Sequence, residues 1–555
     1  MRYAALACDY DGTIAHHGVV NTETMAALER VRQTGRRLVL VTGRQLADLQ
    51  DVFRRIDLFD RVVAENGAVV YDPVTREQRL LGDAPPETFV AELRRLNVEP
   101  LSIGSCIVAT WEPQQAMVLD VIRRLGLELH VIFNKGAVMV LPSSLNKATG
   151  LAVALESLQL SPHNVVGIGD AENDHAFLGI CECAVATANA VDTLKARADF
   201  VTRGANGAGV IELADALVES DLAAFDTLLA RHDVAIGTSR RGEDVRLRPL
   251  DRKVLVAGPS GSGKSTLVTA FLEALIDAKY QVCVIDPEGD YETCPDVVRV
   301  GDSEREPTTA EVLDMLVSPA RSVVVNLNAV KVEQRPAFLA SLLPGLLQLR
   351  AKTGRPHWTV IDEAHHLLPA DSRMDPATLA AGLPGALFIT VHPDQIWRPA
   401  LDDLDVVLAT GPEPRRVLES VPEAVASPGQ DLPVPEAGES LMWSCRSETA
   451  VVFKPNPPHS EHRSFFFTGP NGTLNLRAQN LMLFMQIADG VDDDTWLYHL
   501  RRGDYSQWFR DAIKDDDLAQ DAAAIERGGA ATPADTRHRI RAAIEERYTK
   551  PASST

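Results

Sequence analysis

Gly258 to Thr266, GPSGSGKST, lies between an apolar run, KVLVA, and an amphipathic one, TAFLEALIDAKY. Glycines at this density let successive backbone N–H groups converge on one point, and a helix that begins there adds its positive end. The segment therefore reads as a strand, a phosphate-wrapping loop and a helix. Gly258, Pro259, Ser260, Gly261, Ser262 and Gly263 form the cradle, Lys264 reaches the β/γ phosphates of ATP, and Ser265, followed by Thr266, stands ready to ligate Mg2+. A strand that feeds directly into a helix commits this half of the chain to a parallel sheet covered by helices.

The chain has 555 residues, too many for one core. Four parts are expected: a core made of 1–84 and 137–225, an inserted cap at 85–136, a P-loop domain at 235–415, and a C-terminal α+β module at 440–548. The fold class is α/β and multidomain, a Rossmann-like domain with a small α+β cap, then a RecA-like domain and a smaller, mostly helical C-terminal region. The charged stretch TSRRGEDVRLRPLDR reads as the separator of the two halves, and Pro412 to Glu439 as a connector. SETAVVFKPN and RSFFFTGPNG read as strands around a turn, and Trp496, Tyr498, His499, Tyr505, Trp508 and Phe509 as the aromatic group of a packing or docking module. The terminal YTKPASST reads as frayed.

Acidic residues number 77 against 55 basic, a net charge of −22 that opposes indiscriminate contact with nucleic acid or anionic lipid while leaving a local basic channel open. The seven cysteines contain no CxxC pair, so neither a disulfide framework nor a thiolate zinc site follows. Two carboxylates precede any signal-like run and no apolar segment reaches the ~20 residues that span a bilayer, so a cytoplasmic enzyme without a membrane span is expected.

In the first half Asp9 and Asp11 sit in CDYDGT at the end of a predicted strand. Residues i and i+2 of an extended segment share a face, so both carboxylates reach one site, and their repulsion calls for a hard cation. Taken in order, CDYDGT, VTGR, NKATG and GDAEND resemble the haloacid-dehalogenase superfamily of phosphohydrolases, and the insertion between VTGR and NKATG resembles the cap of its Cof-like branch. The resemblance implies Asp9 as the nucleophile, Asp11 as general acid and base, Thr42 and Lys147 as holders of the phosphoryl group, and Mg2+ bound by Asp170, Asp9 and the backbone carbonyl of Asp11, with Asp174 orienting Lys147 or a metal water. Asn173 completes the acidic loop. A cap of this size favours a small phosphorylated metabolite, with Thr110, Trp111, Glu112 and Asn134 as candidate contacts, and the reaction class would be phosphoric monoester hydrolysis.

In the second half Asp362 and Glu363 follow the apolar HWTVI, placed to hold Mg2+ water and to activate water respectively. CVIDPEGDYE and TVIDEAHHLLP resemble the HerA-like branch of nucleic-acid-pumping ATPases. That resemblance implies a homo-oligomeric ring in which an arginine, among Arg335, Arg350, Arg355 and Arg398, completes a neighbour's site. It departs where LFITVHPDQI puts His392 and Gln395 in place of a strand-end glutamine sensor. His365 and His366 read as packing or loop residues rather than zinc ligands. The leading expectation is a Mg2+-dependent phosphohydrolase joined to an ATP-hydrolysing domain. A nucleic-acid motor with an accessory phosphatase, a metabolite kinase and phosphatase pair, and a nucleotide-switched scaffold are the alternatives.

Overall fold

The computed structural model describes residues 1–291, 294–372, 383–422, 432–458, 465–470, 474, 476–478, 481–513, 515–528 and 532–548. Residues 423–431 of the expected connector and 549–555 of the terminus lie outside them.

Fully buried apolar strands set the first sheet. Ala5–Asp9 lies at its centre, paired in parallel with Val165–Gly169 on one side and Arg37–Val41 on the other. Cys183–Ala186 and Phe200–Val201 extend one flank and Arg61–Ala64 the other, all parallel, before Val69–Tyr71 and Gln78–Leu80 close the edge antiparallel. Strands buried on both faces read as continuous apolar runs, and parallel pairing brings their carboxyl ends to one rim. Asp9, Thr42 and Asp170 are all on that rim.

The cap is a four-stranded antiparallel sheet in the order Ser102–Ile103, Val108–Trp111, Ala137–Pro142, Leu129–Asn134, with helices Glu87–Arg95 and Gln115–Leu125 packed on it. The expected boundary at 136 is therefore too early. Ala137–Pro142 pairs with two cap strands and with none of the core.

Two further expectations change in the second sheet. Its parallel part holds seven strands, in the order Val406–Thr410, Lys253–Ala257, Ala386–Thr390, Trp358–Ile361, Val282–Asp286, Ser322–Asn326 and Val297–Val300. The charged stretch read as a separator instead forms a hairpin, Val234–Ser239 with Asp244–Leu247, whose alternating residues bury Val245 and Leu247 and expose Asp244 and Arg246. Ser440–Ser444 and Thr449–Pro455, assigned to the C-terminal module, join this hairpin to Val406–Thr410 and so complete the P-loop sheet. Consequently SETAVVFKPN does not pair with RSFFFTGPNG. Phe465–Phe467 pairs with Leu476–Ala478 instead.

The C-terminal region is mostly helical, and Trp496, Tyr505, Trp508 and Phe509 are buried in one core with Phe465, Phe467 and Phe484. Among the described residues no helix is long and apolar enough to cross a membrane.

Candidate functional site

Asn146 caps the helix Lys147–Ser157, its side chain accepting from Ala148 and Thr149 N–H, so Lys147 stands on the first turn and points to the rim. Its ammonium, 1% exposed, donates to Asp9 Oδ1 and Asp174 Oδ1, both at 2.6 Å. Asp174 spends its other oxygen on the N–H groups of Asp170 and Ala171 at 2.8 and 2.9 Å. Asp9, Asp170 and Asp174 each offer an oxygen within 4.8 Å of the others.

Three buried carboxylates against one buried lysine leave negative charge in a desolvated place. Burial, followed by Asp174, pushes Asp9 up to about 8, with Lys147 opposing. Burial also raises Asp170, and it works against the Lys147 charge, yet Asp174 and Asp9 hold that lysine above its usual value. The donor set, all oxygen with an excess of negative charge, fits Mg2+. Asp9 and Asp170 would hold it, and Asp174, whose Oδ1 accepts from Lys147, orients that lysine.

Asp11 does not join this group. Its carboxylate, 46% exposed, is gripped by Arg44 through Nε at 2.6 Å and Nη2 at 2.8 Å, and Arg44 also holds Asp48. Thr42 is buried beside Asp9's strand, its hydroxyl accepting from Arg44 N–H at 3.1 Å. Asn173 donates to Asn66 at 2.8 Å. Gly67 follows Asn66 at φ +103, and a Cβ there would meet Asn146 O at 1.8 Å, which accounts for the glycine of ENG.

The sequence patterns missed three contacts to Asp170. Lys135, on the cap hairpin, donates to its Oδ2 at 2.5 Å; Asn189 donates to the same oxygen at 3.1 Å and to Gly12 O at 2.8 Å; Thr13 donates to Oδ1 at 3.3 Å. Lys135 and Asn189 are single loop residues with no spacing pattern around them, whereas Thr13 closes the CDYDGT motif. Of the cap residues singled out, Thr110 is 3% exposed and Trp111 53% exposed, on the strand Val108–Trp111. The cap is also fastened by Glu65, whose buried carboxylate accepts from the N–H groups of Ser105, Cys106 and Ile107.

The second site lies on the rim of the other sheet. Lys264 begins the helix Lys264–Asp277 after the loop Gly258 to Gly263. Its ammonium donates to the carbonyls of Gly258 and Pro259, both at 3.0 Å, and burial lowers its pKa against the pull of Glu363 and Asp362. Ser262 shares a hydrogen bond with Thr410 at 2.6 Å. Asp362 is buried and pushed up to about 7, chiefly by that burial. Beside it Asp286 folds the IDPEGDY turn by accepting from Glu288, Gly289, Asp290 and Tyr291 N–H.

Glu363 has φ +42, a conformation that costs a non-glycine residue about 1–2 kcal/mol and aims its side chain away from the strand. Its Oε2 lies 3.2 Å from His365 Nδ1, but that nitrogen's hydrogen-bond geometry is spent on Thr390 Oγ1 at 3.1 Å, leaving Oε2 buried without a hydrogen-bond partner. Burial pushes His365 down to about 4, so it is a neutral ring. Thr390, which also accepts from His392 N–H, stands at the strand end where a sensor was sought; His392 is exposed with its ring 5.4 Å from that of His365, and Gln395 is exposed. Arg350 and Arg355 are 9% and 0% exposed and bond within the chain, Arg350 to the carbonyls of Pro356 and His357 and Arg355 to Gln281, which removes both as residues a neighbouring copy could use.

Comparison with known proteins supports both halves. The model of the haloacid dehalogenase-like hydrolases matches residues 6–91 and 115–213, and that of the central domain of helicase HerA matches 234–335. The phosphoglycolate phosphatase of Methanothermobacter thermautotrophicus is 31% identical over 217 residues, covering 38% of this chain and 96% of that protein. The phosphoglycolate phosphatase of Haloarcula marismortui is 31% identical over 220 residues, covering 37% and 94%. A solved haloacid dehalogenase-like hydrolase from Bacteroides thetaiotaomicron is 20% identical with a TM-score of 0.35, covering 39% of this chain and 99% of that one. Through its first 213 residues the chain belongs to the haloacid dehalogenase-like hydrolases, and it carries that domain in one polypeptide with a HerA-like, ATP-binding P-loop domain and a C-terminal region of no assigned family.

Proposed function

We propose that the first domain is a Mg2+-dependent phosphomonoesterase of the Cof-like branch for small phosphate esters that carry a carboxylate, of the phosphoglycolate type, and that the second hydrolyses ATP. The observation that carries the first reading is the Lys147 ammonium held between Asp9 and Asp174 beside Asp170. Lys147 occupies Asp9 Oδ1 and leaves Oδ2 as the attacking oxygen. Asp9 forms a bond to phosphorus as the ester oxygen leaves with a proton from Asp11; Asp11 then takes a proton from water, which attacks the aspartyl phosphate and frees inorganic phosphate and Asp9. Thr42 and Lys147 hold the phosphoryl oxygens throughout. Bound between Asp9 and Asp170, Mg2+ would supply charge neutralisation at those oxygens. Asp11 must first leave Arg44, so the resting ion pair keeps the acid away from the nucleophile until substrate arrives.

Support for the carboxylate comes from Lys135, a cap cation that reaches the core site, and from relatives that are phosphoglycolate phosphatases. In the second domain Glu363, with its free Oε2, takes the proton of the attacking water, Asp362 and Ser265 would hold Mg2+, and Lys264 exchanges its two loop carbonyls for the β/γ phosphates. A nucleic-acid-stimulated motor is the second reading for this domain, favoured by the HerA central-domain match and opposed by the net charge of −22. A screen of small phosphate esters on the full chain, beside ATP hydrolysis measured with and without DNA, tests both. Phosphoglycolate no better than a neutral ester removes the substrate proposal, and ATP hydrolysis that rises many-fold with DNA makes the motor primary. Lys264→Ala is expected to abolish tight ATP binding in titration calorimetry.

A further inference from the structure

His163, Glu182 and His232 come from three segments of the chain and meet where the hydrolase domain packs on the P-loop domain, each offering one ligand atom within 4.8 Å of the other two. His163 lies in the turn Pro162–Asn164, Glu182 just before the strand Cys183–Ala186, and His232 on the connection into Val234–Ser239. His163 and Glu182 are 7% and 8% exposed, and His232 is half-buried. Charged groups withdrawn from water at a seam between domains need compensation.

The hydrogen bonds around the cluster show what kind. His163 Nε2 lies 2.7 Å from the carbonyl oxygen of Ala278 across the seam, and His232 Nε2 lies 3.1 Å from that of Cys181. A carbonyl only accepts, so each ring carries a hydrogen on Nε2, and a neutral ring then has its lone pair on Nδ1. His163 Nδ1 faces Glu182 Oε2 at 2.7 Å, and the Tyr280 hydroxyl donates to that same oxygen at 2.7 Å while its ring stacks on His163 at 3.7 Å. Imidazoles whose far nitrogens are fixed by backbone carbonyls, around a carboxylate that is itself hydrogen-bonded, form the outer arrangement that orients metal-ligating histidines. Neighbouring His357 lacks it: Nδ1 accepts from Gln281 N–H at 2.8 Å and Nε2 pairs with Asn164 Oδ1 at 3.0 Å, so both its nitrogens are occupied.

We propose that His163, Glu182 and His232 bind one zinc-class divalent cation, with a solvent molecule in the fourth position, and that this ion fastens the hydrolase domain and the connecting segment against the P-loop domain. Two nitrogens and one carboxylate suit a borderline metal and distinguish the site from the all-oxygen group at Asp9. Without the ion a proton must stand between His163 Nδ1 and Glu182 Oε2. Binding releases it and widens that contact from 2.7 Å to about 3.3 Å, the separation of two ligands each 2.0–2.1 Å from a tetrahedral centre. A cleft of about 820 Å³ between the domains is lined by the cluster's neighbours Ser161, Pro162 and Tyr280 among others.

The test uses the full chain carrying Asp9→Asn, stripped with a chelator, dialysed against excess Zn2+ or Co2+ and passed through a desalting column. The expected result is one retained Zn2+ per chain, and a Co2+ form with the strong visible absorption of four- or five-coordination. Adding His163→Asn and His232→Asn together should remove both. Circular dichroism and aryl-phosphate turnover, the latter in the chain with Asp9 restored, report folding. If the double variant does not fold, His232→Asn alone carries the test. Loss of an outer-shell partner costs about 10–100-fold in affinity, so loss of a direct ligand should exceed about 100-fold. Zinc retained at the same stoichiometry and affinity by folded His232→Asn would overturn the proposal, as would a starting chain that retains none.

Discussion

The two lysines that would meet phosphate in this chain are held in opposite ways. Lys147 divides its ammonium between carboxylates of two distant segments and is kept above the usual lysine pKa, whereas Lys264 donates to carbonyls of its own loop and is kept below it. Burial opposes both charges. At Lys147, Asp174 and Asp9 outweigh it; at Lys264, Glu363 and Asp362 do not. The first site is thus assembled by the tertiary fold before any ligand arrives, and the second is completed by its ligand, since an incoming triphosphate replaces neutral carbonyls with full negative charge.

The largest effect that could break this contrast is at Asp9. Asp9→Asn should lower aryl-phosphate turnover by a factor on the order of 10⁴ or more, as loss of a nucleophile does, while ATP hydrolysis stays within about twofold. A phosphate-release assay with a surviving tenth of the activity would mean that the nucleophile lies elsewhere.

Next comes Glu363→Gln, expected to slow ATP hydrolysis about 10²–10⁴-fold with ATP affinity intact, since it removes a base and leaves the cradle untouched. Hydrolysis at the original rate would reassign water activation, with Thr390 and His365 the nearest groups to examine.

Lys135→Met sharpens the comparison at a smaller scale. A charge-assisted bond is worth about 1.5–3 kcal/mol, so kcat/KM for a carboxylated phosphate ester should fall about 10–100-fold. Turnover of a neutral aryl phosphate should change little; an equal fall for both would tie Lys135 to Asp170 and the metal rather than to substrate.

The smallest effect is in pH. Asp9 is pushed up to about 8, so between the ordinary aspartate value near 4 and pH 8 the folded, metal-free chain holds a proton that the unfolded chain has released. Stability of the metal-free hydrolase domain should therefore fall as pH rises across that window, by at most about 1.4 kcal/mol per pH unit for one proton. Urea denaturation at a series of pH values checks the slope. Saturating Mg2+ should flatten or reverse it, because the ion takes the place of the proton, and a slope of the opposite sign without metal would show Asp9 already ionised against Lys147.

Residues that sit at strand ends in short fixed patterns are legible in the amino-acid sequence. Asp9, Thr42, Lys147, Asp170, Gly258 to Thr266 and Asp362 all belong to such patterns, and the buried apolar strands that precede most of them announce the parallel sheets. Edge strands are not legible. Asp244–Leu247 carries charge on every outward position, which is what a solvent-facing edge needs and what a linker also looks like. Ala137–Pro142 is apolar enough for either sheet, and only its pairing decides. Lys135, Asn189 and the group at His163 escape for another reason: their partners lie far along the chain, and no local period records a contact made by folding.

The pairing of Val234–Ser239 with Thr449–Pro455 has a mechanical consequence. The strand by which the chain enters the P-loop domain and the strand by which it leaves lie antiparallel side by side, with Gly237 opposite Pro455 and Ser239 opposite Phe453. The hydrolase domain and the C-terminal region are therefore both moored at the same end of one two-stranded strap, and the hydrolase domain is tied to the P-loop domain a second time across the seam, where His163 meets Ala278 and Asn164 meets His357. Any torque the P-loop sheet develops reaches the C-terminal region along that strap, and the hydrolase domain through strap and seam together.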